Sequence, residues 1–229
     1  MCCICGKDFT VLSDDPQRRD NSGNFKCASC RLEIQRRNEA NRVEAASKRQ
    51  AQLLEAIPLA FRSTERCKLP FPEMLDRAMA WRFGSQGILL YGPTGCGKSR
   101  IAWEIVKREI FAGRKIRSVN SYELSRYPSL FMQDSGDAAH QFAESMVQAE
   151  LLVLDDVFKA KATERIEELL FGVIDERGVW ERPCIITVND TGESLKGRLS
   201  QDRGPALIRR LREHCRALRL GTDFEQGIS

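Results

Sequence analysis

The stretch Gly87-Ile88-Leu89-Leu90-Tyr91-Gly92-Pro93-Thr94-Gly95-Cys96-Gly97-Lys98-Ser99 decides how the rest of the chain is read. Ile88–Tyr91 spells a buried strand, and a helical pattern opens at Lys98. Between them, Gly92 to Ser99 fits the G-x-x-x-x-G-K-[ST] pattern at every required position. Glycines at these places let backbone N–H groups close around phosphate oxygens, and the helix N-terminus adds its positive end. Lys98 is then expected to contact the β- and γ-phosphates of ATP and the Ser99 hydroxyl to hold Mg²⁺. Pro93, Thr94 and Cys96 occupy the permissive positions of the loop.

Outward from this loop, short apolar runs alternate with helical patterns, the signature of strand–helix–strand units around a parallel sheet. Candidate strands are Ile88–Tyr91, Ile116–Asn120, Leu151–Asp155, Cys184–Val188 and Ala217–Leu220. The clearest helix follows the third strand. Thr163 can cap it, Ile166, Leu169, Leu170, Val173 and Ile174 form one apolar face, and Gly178 is placed to close it. A phosphate loop alone hydrolyses nothing, because a carboxylate must serve the magnesium shell and another polar group must act on water. Leu151-Leu152-Val153-Leu154-Asp155-Asp156 supplies both: an apolar strand ending in two acids, with Asp155 for Mg²⁺ and Asp156 for water. Adjacent strand residues face opposite ways, which argues against Asp156 sharing the site with Asp155. Cys184-Ile185-Ile186-Thr187-Val188-Asn189 reads as another central strand, and Asn189 at its end is a candidate for positioning water near the γ-phosphate.

The chain has 229 residues, of which 42% are hydrophobic and 30% charged, so it fits an ordinary globular protein rather than a disordered or membrane-spanning one. The N-terminus lacks the apolar segment of a secretory signal, and a cytosolic setting is expected. A net charge of +4 does not by itself argue for a nucleic-acid partner. The positive charge is concentrated in residues 31–50 and again in residues 196–219, the latter holding Arg198, Arg203, Arg209, Arg210, Arg212, Arg216 and Arg219. Few aromatic residues accompany these clusters, so contact with DNA would run through phosphates and weaken with salt.

Nine cysteines in a reducing compartment are better read as metal ligands than as bridges. Cys2-x-x-Cys5 and Cys27-x-x-Cys30, separated by 21 residues, form a four-thiolate zinc pattern, with Cys3 as a spare. Gly6 suits the turn in which N–H groups point at thiolate sulfur. With four sulfur ligands no position stays open for water, so the Zn²⁺ is structural. Three segments follow: a zinc-ribbon-like module at 1–30, a charged helical connector at 31–57 free of Gly and Pro before Pro58, and an α/β domain at 58–229.

The string Gly87–Ser99, the Asp155-Asp156 segment, Thr163-Glu164-Arg165, Ile186-Thr187-Val188-Asn189 and Arg209-Arg210-Leu211-Arg212 together resemble a DnaC/IstB-type AAA+ ATPase over about residues 58–220. Asp156 departs from the glutamate common at that position. The resemblance implies a P-loop NTPase sheet of five parallel strands with one strand inserted between those bearing Gly92 and Asp155. It also implies ATP bound between subunits of an ATP-dependent homo-oligomer. The partner would be either a replicative helicase loaded onto single-stranded DNA or a transposase assisted on duplex DNA. An arginine offered across the subunit boundary belongs to the C-terminal cluster, with Arg210 favoured over Arg209 and Arg203. About nine residues follow the last candidate strand, so a helical lid with its own sensor is not expected. Two readings from other classes compete. A small-molecule kinase would need an acceptor pocket, and a zinc-ribbon regulator would need no ATPase domain.

Overall fold

The computed structural model describes residues 2, 4–8, 26–55, 57–130, 136–158, 163–189, 195 and 197–221. The spare Cys3 lies outside them. The chain divides into a unit of residues 1–56 and a larger one of residues 57–229. In the first, α1 spans Ala28–Glu55 and so begins inside the second cysteine pair, placing Cys30 in its first turn. Its length without Gly or Pro follows from good helix formers throughout. Leu32 and Val43 stay exposed because its apolar residues make no continuous stripe.

The larger unit carries α2 (Pro72–Met79), β1 (Gly87–Tyr91), α3 (Lys98–Phe111), β2 (Ile116–Asn120), α4 (Ser121–Leu130) and α5 (Asp137–Gln148). It continues with β3 (Leu151–Asp155), α6 (Glu164–Val179), β4 (Cys184–Val188), α7 (Gly204–His214) and β5 (Cys215–Arg219). The five strands form one parallel sheet in the order β2-β3-β4-β1-β5, with β4 between β1 and β3 as the resemblance implies. The central strands are continuous apolar runs because both faces are covered: β4 is buried at every residue and β3 at all but Asp155. On one side α4, α5, α6 and α7 share a core with the sheet, built around Leu152, Leu154, Leu170, Val173, Ile186 and Leu211. The crossover from β1 to the far edge runs against the other crossovers, which sends α3 to the opposite face, where it packs with α2. Phe61 stacks on Trp103 there, with ring centroids 5.8 Å apart. Among the described residues no helix is long and apolar enough to cross a membrane.

Two local expectations change. The fifth strand starts at Cys215, two residues before Ala217, because it pairs with β1 from Gly87 onward. Only glycine fits at Gly87, where a Cβ would lie 2.4 Å from the Cys184 carbonyl oxygen and 3.0 Å from Cys215 Sγ. Thr163 caps α6 as expected, its hydroxyl accepting from Ile166 N–H, but Gly178 does not end the helix, which runs on to Val179. Gly178 is glycine for packing, since a Cβ there would stand 2.2 Å from the His214 ring at the end of α7.

Arg177, immediately before that glycine, is 1% exposed. Its guanidinium donates to the carbonyls of Met146 and Val147 in the last turn of α5, of Ala149 and Glu150 just beyond it, to Pro183 ahead of β4, and to Cys184 Sγ. Burial lowers its pKa from the usual arginine value, while the sulfur beside it acts the other way. Removing it leaves several buried carbonyls without donors, each a loss of about 1–3 kcal/mol where no water reaches. Arg177→Ala is therefore expected to lower stability by about 3 kcal/mol or more. Urea unfolding followed by the fluorescence of Trp81, Trp103 and Trp180 checks this, and a midpoint matching wild type would refute it.

Candidate functional site

The carboxyl ends of β1, β3 and β4 meet at one edge of the sheet, the usual ligand edge of an open α/β fold. Leu90 pairs with Thr187 and Leu154 with Ile186, so the parallel register brings Asp155, Thr187 and the start of the Gly92 loop to the same level. The loop turns sharply through three glycines with positive φ: Gly92 (146°), Gly95 (85°) and Gly97 (91°). At Gly92 a side chain is also excluded by the main chain after β5, because a Cβ would stand 2.1 Å from Leu220 O. Gly97 then caps α3, whose first residues are Lys98 and Ser99. Lys98 is 5% exposed, and its ammonium donates to Gly92 O (3.0 Å) and Pro93 O (2.7 Å) and contacts Cys96 Sγ at 3.6 Å.

Below the loop a short polar network joins three chain segments. Ser99 Oγ donates to Asp155 Oδ1 at 2.7 Å, linking α3 to β3. Thr187 Oγ1 donates to the same Oδ1, also at 2.7 Å, linking β4 to β3. The Thr187 hydroxyl in turn accepts from Asp156 N–H at 2.6 Å. Asp156 adopts a left-handed backbone, φ 55°, which ends the strand alternation and turns its carboxylate toward the cleft. There its Oδ1 accepts a hydrogen bond from Asn189 Nδ2. The objection that adjacent strand residues face opposite ways thus fails at this position, because Asp156 has left the strand.

The cleft above this network has a volume of about 400 Å³ and is lined by Thr94, Gly95, Gly97, Lys98, Ser99, Arg100, Asp156, Asn189 and Arg198. Its residues fit a magnesium–nucleotide: a loop whose three positive-φ positions favour glycine, a lysine at its floor, and a hydroxyl hydrogen-bonded to a carboxylate at the position of the metal shell. A larger groove of about 850 Å³ between α5 and α6 contains none of the loop residues. The favoured arginine, Arg210, lies on α7, where it pairs with Asp175 at 2.7 Å and Glu213 at 3.0 Å; it does not line the cleft of its own chain. Arg209 reaches Glu213 at 3.7 Å and Arg203 reaches Glu168 at 3.4 Å.

Three residues at the cleft escaped the sequence reading. Thr187 carried a usable signal, a polar residue at the centre of an otherwise apolar strand, which must find partners when buried. Arg100 and Arg198 carried none beyond their charge.

In the smaller unit the sulfurs of Cys2, Cys5, Cys27 and Cys30 all lie within 4.8 Å of one another. Zinc–sulfur bonds of about 2.3 Å set the edge of a sulfur tetrahedron at about 3.8 Å. Cys5 and Cys27 stand 3.7 Å apart, so the cluster has the dimensions for one ion. Gly6, at φ 68°, makes the turn that brings its N–H to Cys2 O, and Cys27 N–H donates to Cys2 Sγ at 3.3 Å. Cys2 is lowered to about 6, chiefly by that bond from Cys27 N–H and then by the N–H groups of Cys5 and Ile4. Cys30 is pushed up to about 12 by the neighbouring Cys27 and Cys5 sulfurs. Four thiolates this close require a cation to ionise together, which is the chemistry of a closed four-cysteine site.

Comparison with known proteins agrees with this architecture. A family model described as IstB-like ATP binding protein matches residues 32–225. A curated relative from Mycobacterium tuberculosis, an ATP-binding protein in an insertion sequence, is 27% identical over 132 residues, covering 56% of this chain and 51% of the relative. The chain thus spans about half the length of that relative. Among solved structures, DnaI superposes with a TM-score of 0.53 at 16% identity, over 75% of this chain and 94% of DnaI. The DnaC helicase loader gives 0.51 at 17% identity, over 65% and 86%. AMPPCP-bound DnaA from Aquifex aeolicus gives 0.52 at 17% identity, over 67% of this chain but only 46% of DnaA. These likenesses show the AAA+ fold. With the family model covering well over half of its length, the chain belongs to the family of IstB-like ATP-binding proteins.

Proposed function

We propose that this protein hydrolyses ATP with Mg²⁺ and uses the cycle to deliver a replicative helicase onto single-stranded DNA. The observation that carries the hydrolytic part is the network Ser99–Asp155–Thr187–Asp156–Asn189 beneath the glycine loop. Lys98 and the N–H groups from Gly92 to Ser99 would hold the phosphate tail, with Ser99 and Asp155 on the magnesium side. Bound Mg²⁺ supplies charge neutralisation of the phosphates. Asp156 accepts a proton from, or orients, the attacking water, and Asn189 fixes the Asp156 carboxylate through its amide. Arg210 is assigned to the neighbouring subunit's site in an ATP-dependent homo-oligomer, leaving its Asp175 and Glu213 partners on assembly.

Helicase delivery is supported by the likeness to the DnaC helicase loader, which extends over 86% of that chain. Zn²⁺ held by Cys2, Cys5, Cys27 and Cys30 would brace the start of α1, so that module and helix present one surface to the partner. A second reading, assistance to a transposase on duplex DNA, is favoured by the insertion-sequence relative and by the family itself. The network of two acids and a strand-end asparagine speaks against a small-molecule kinase.

Three outcomes are expected. Turnover of ATP rises with single-stranded DNA and falls at least about 100-fold in Lys98→Ala, since the lysine's charge-assisted bonds to phosphate are lost; phosphate release with and without DNA checks it, and equal low rates in both conditions would sink the proposal. Affinity capture from the native host, read by mass spectrometry, recovers a ring helicase with wild-type bait but less with Lys98→Ala; recovery of a transposase instead selects the second reading. Purified protein carries one zinc per chain, and Cys27→Ser loses both the metal and protease resistance of residues 1–56 while still binding nucleotide; metal analysis with limited proteolysis tests this.

A further inference from the structure

We infer that Arg198 acts in cis on the terminal phosphate of the bound triphosphate, an assignment that rests on the ATP reading above. Three cations line the cleft, and they stand at different places in it. Lys98 spans the loop carbonyls of Gly92 and Pro93 on its floor. Arg100 donates to Ala60 O at 3.0 Å. Arg198 shares the cleft with Asp156 and Asn189 and donates through Nη1 to Phe158 O at 2.8 Å, just beyond the two acids.

The main chain that carries Arg198 is firmly seated. Leu195 and Leu199 are buried in the core at 7% and 5% exposure. Ser200 is clasped by Glu167 of α6, itself 1% exposed, whose two carboxylate oxygens accept from Ser200 N–H (2.8 Å) and Ser200 Oγ (2.5 Å). A fixed backbone with a long, half-buried cationic side chain is how a phosphate contact is pre-organised. The need for it follows from charge. Asp156 places a carboxylate on the wall that must face the terminal phosphate, and two like charges there repel unless a cation lies beside them. A guanidinium suits this task, since its planar fork can offer two parallel N–H donors to phosphate oxygens.

A contact to the terminal phosphate predicts a difference between nucleotides, which a merely structural role would not give. Calorimetry on the full-length, zinc-loaded protein with Mg²⁺ would compare ADP and AMPPCP for wild type, Arg198→Ala and Arg198→Lys. Arg198→Ala should bind AMPPCP about 10–100-fold more weakly, the worth of one lost charge-assisted contact, and leave ADP affinity unchanged. Arg198→Lys should fall between, because it keeps the charge and loses the fork. Equal weakening for both nucleotides would mean that Arg198 only holds the Phe158 segment, and unchanged AMPPCP affinity would mean that it touches nothing; either result overturns the assignment. Mixing Arg198→Ala with Lys98→Ala subunits should restore no turnover, whereas restoration would place the arginine in a neighbour's site. Wild-type protein that binds neither nucleotide would remove the ATP reading itself, a result separate from all of these.

Discussion

One carboxylate oxygen, Asp155 Oδ1, accepts the hydroxyl hydrogens of both Ser99 and Thr187, and the site depends on that coincidence. It requires β1, β3 and β4 to run parallel and in register, with β4 between the other two, because only then do the first turn of α3 and the ends of β3 and β4 converge on one point. Thr187 is fully buried, so its hydroxyl must satisfy its own donor and acceptor capacity inside the protein. It does so by giving to Asp155 and taking from Asp156 N–H, and the second bond holds Asp156 in its left-handed backbone. That conformation costs about 1 kcal/mol for a non-glycine residue, an amount one buried hydrogen bond offsets. A single threonine thus sets both the position of the Asp155 carboxylate and the direction of Asp156.

A second layer of control comes from α6, which carries two charges that are almost entirely buried. Arg177, near its C-terminal end, ties down the carbonyls that lead into β3 and β4. Glu167, near its N-terminal end, clasps Ser200 beside Arg198. Each charge is satisfied by main-chain, hydroxyl or thiol groups rather than by an opposite charge, so neither is a salt bridge in the ordinary sense. Their desolvation is offset by many short hydrogen bonds at once, which makes the geometry unforgiving. One helix thereby fixes where the Asp155 strand begins and where the Arg198 segment sits.

Most of the larger unit was legible because its signals are local. The glycine loop, the apolar run ending in Asp155-Asp156 and the Thr163 cap are each contained within a few residues, and each lies where its pattern implies. What stayed hidden depended on distant partners. Period-2 alternation argued against Asp156 beside Asp155, and only the bond from Thr187, thirty-one residues away, explains why alternation stops there. Gly178 read as a helix stop because glycine often is one, whereas its cause is the imidazole of His214 on another helix. Arg198 was one arginine among many, and no spacing rule separates a cleft arginine from a surface one until the fold has brought it into the same cleft as Lys98.

The two units answer to different forces. Residues 57–229 fold around a broad apolar core, and their polar network is placed by it. Among the described residues, 1–56 have no comparable core: apart from the cysteines, Ile4, Leu32 and Val43 are exposed, and Ile34, Leu53 and Leu54 are only half-buried. Cohesion in that unit falls to the sulfur cluster, where main-chain N–H groups led by that of Cys27 bring Cys2 down to about 6 and the neighbouring Cys27 and Cys5 sulfurs push Cys30 up to about 12. Four thiolates within 4.8 Å of one another repel unless a cation lies among them, and structural zinc contributes about 10–16 kcal/mol to modules of this kind. Cys30 ties α1's first turn to the sulfur cluster, while the cleft of the larger unit is built on Lys98 and the glycine loop. The sulfur cluster and the cleft draw on separate sets of residues, so a change in one set leaves the bonds that build the other in place.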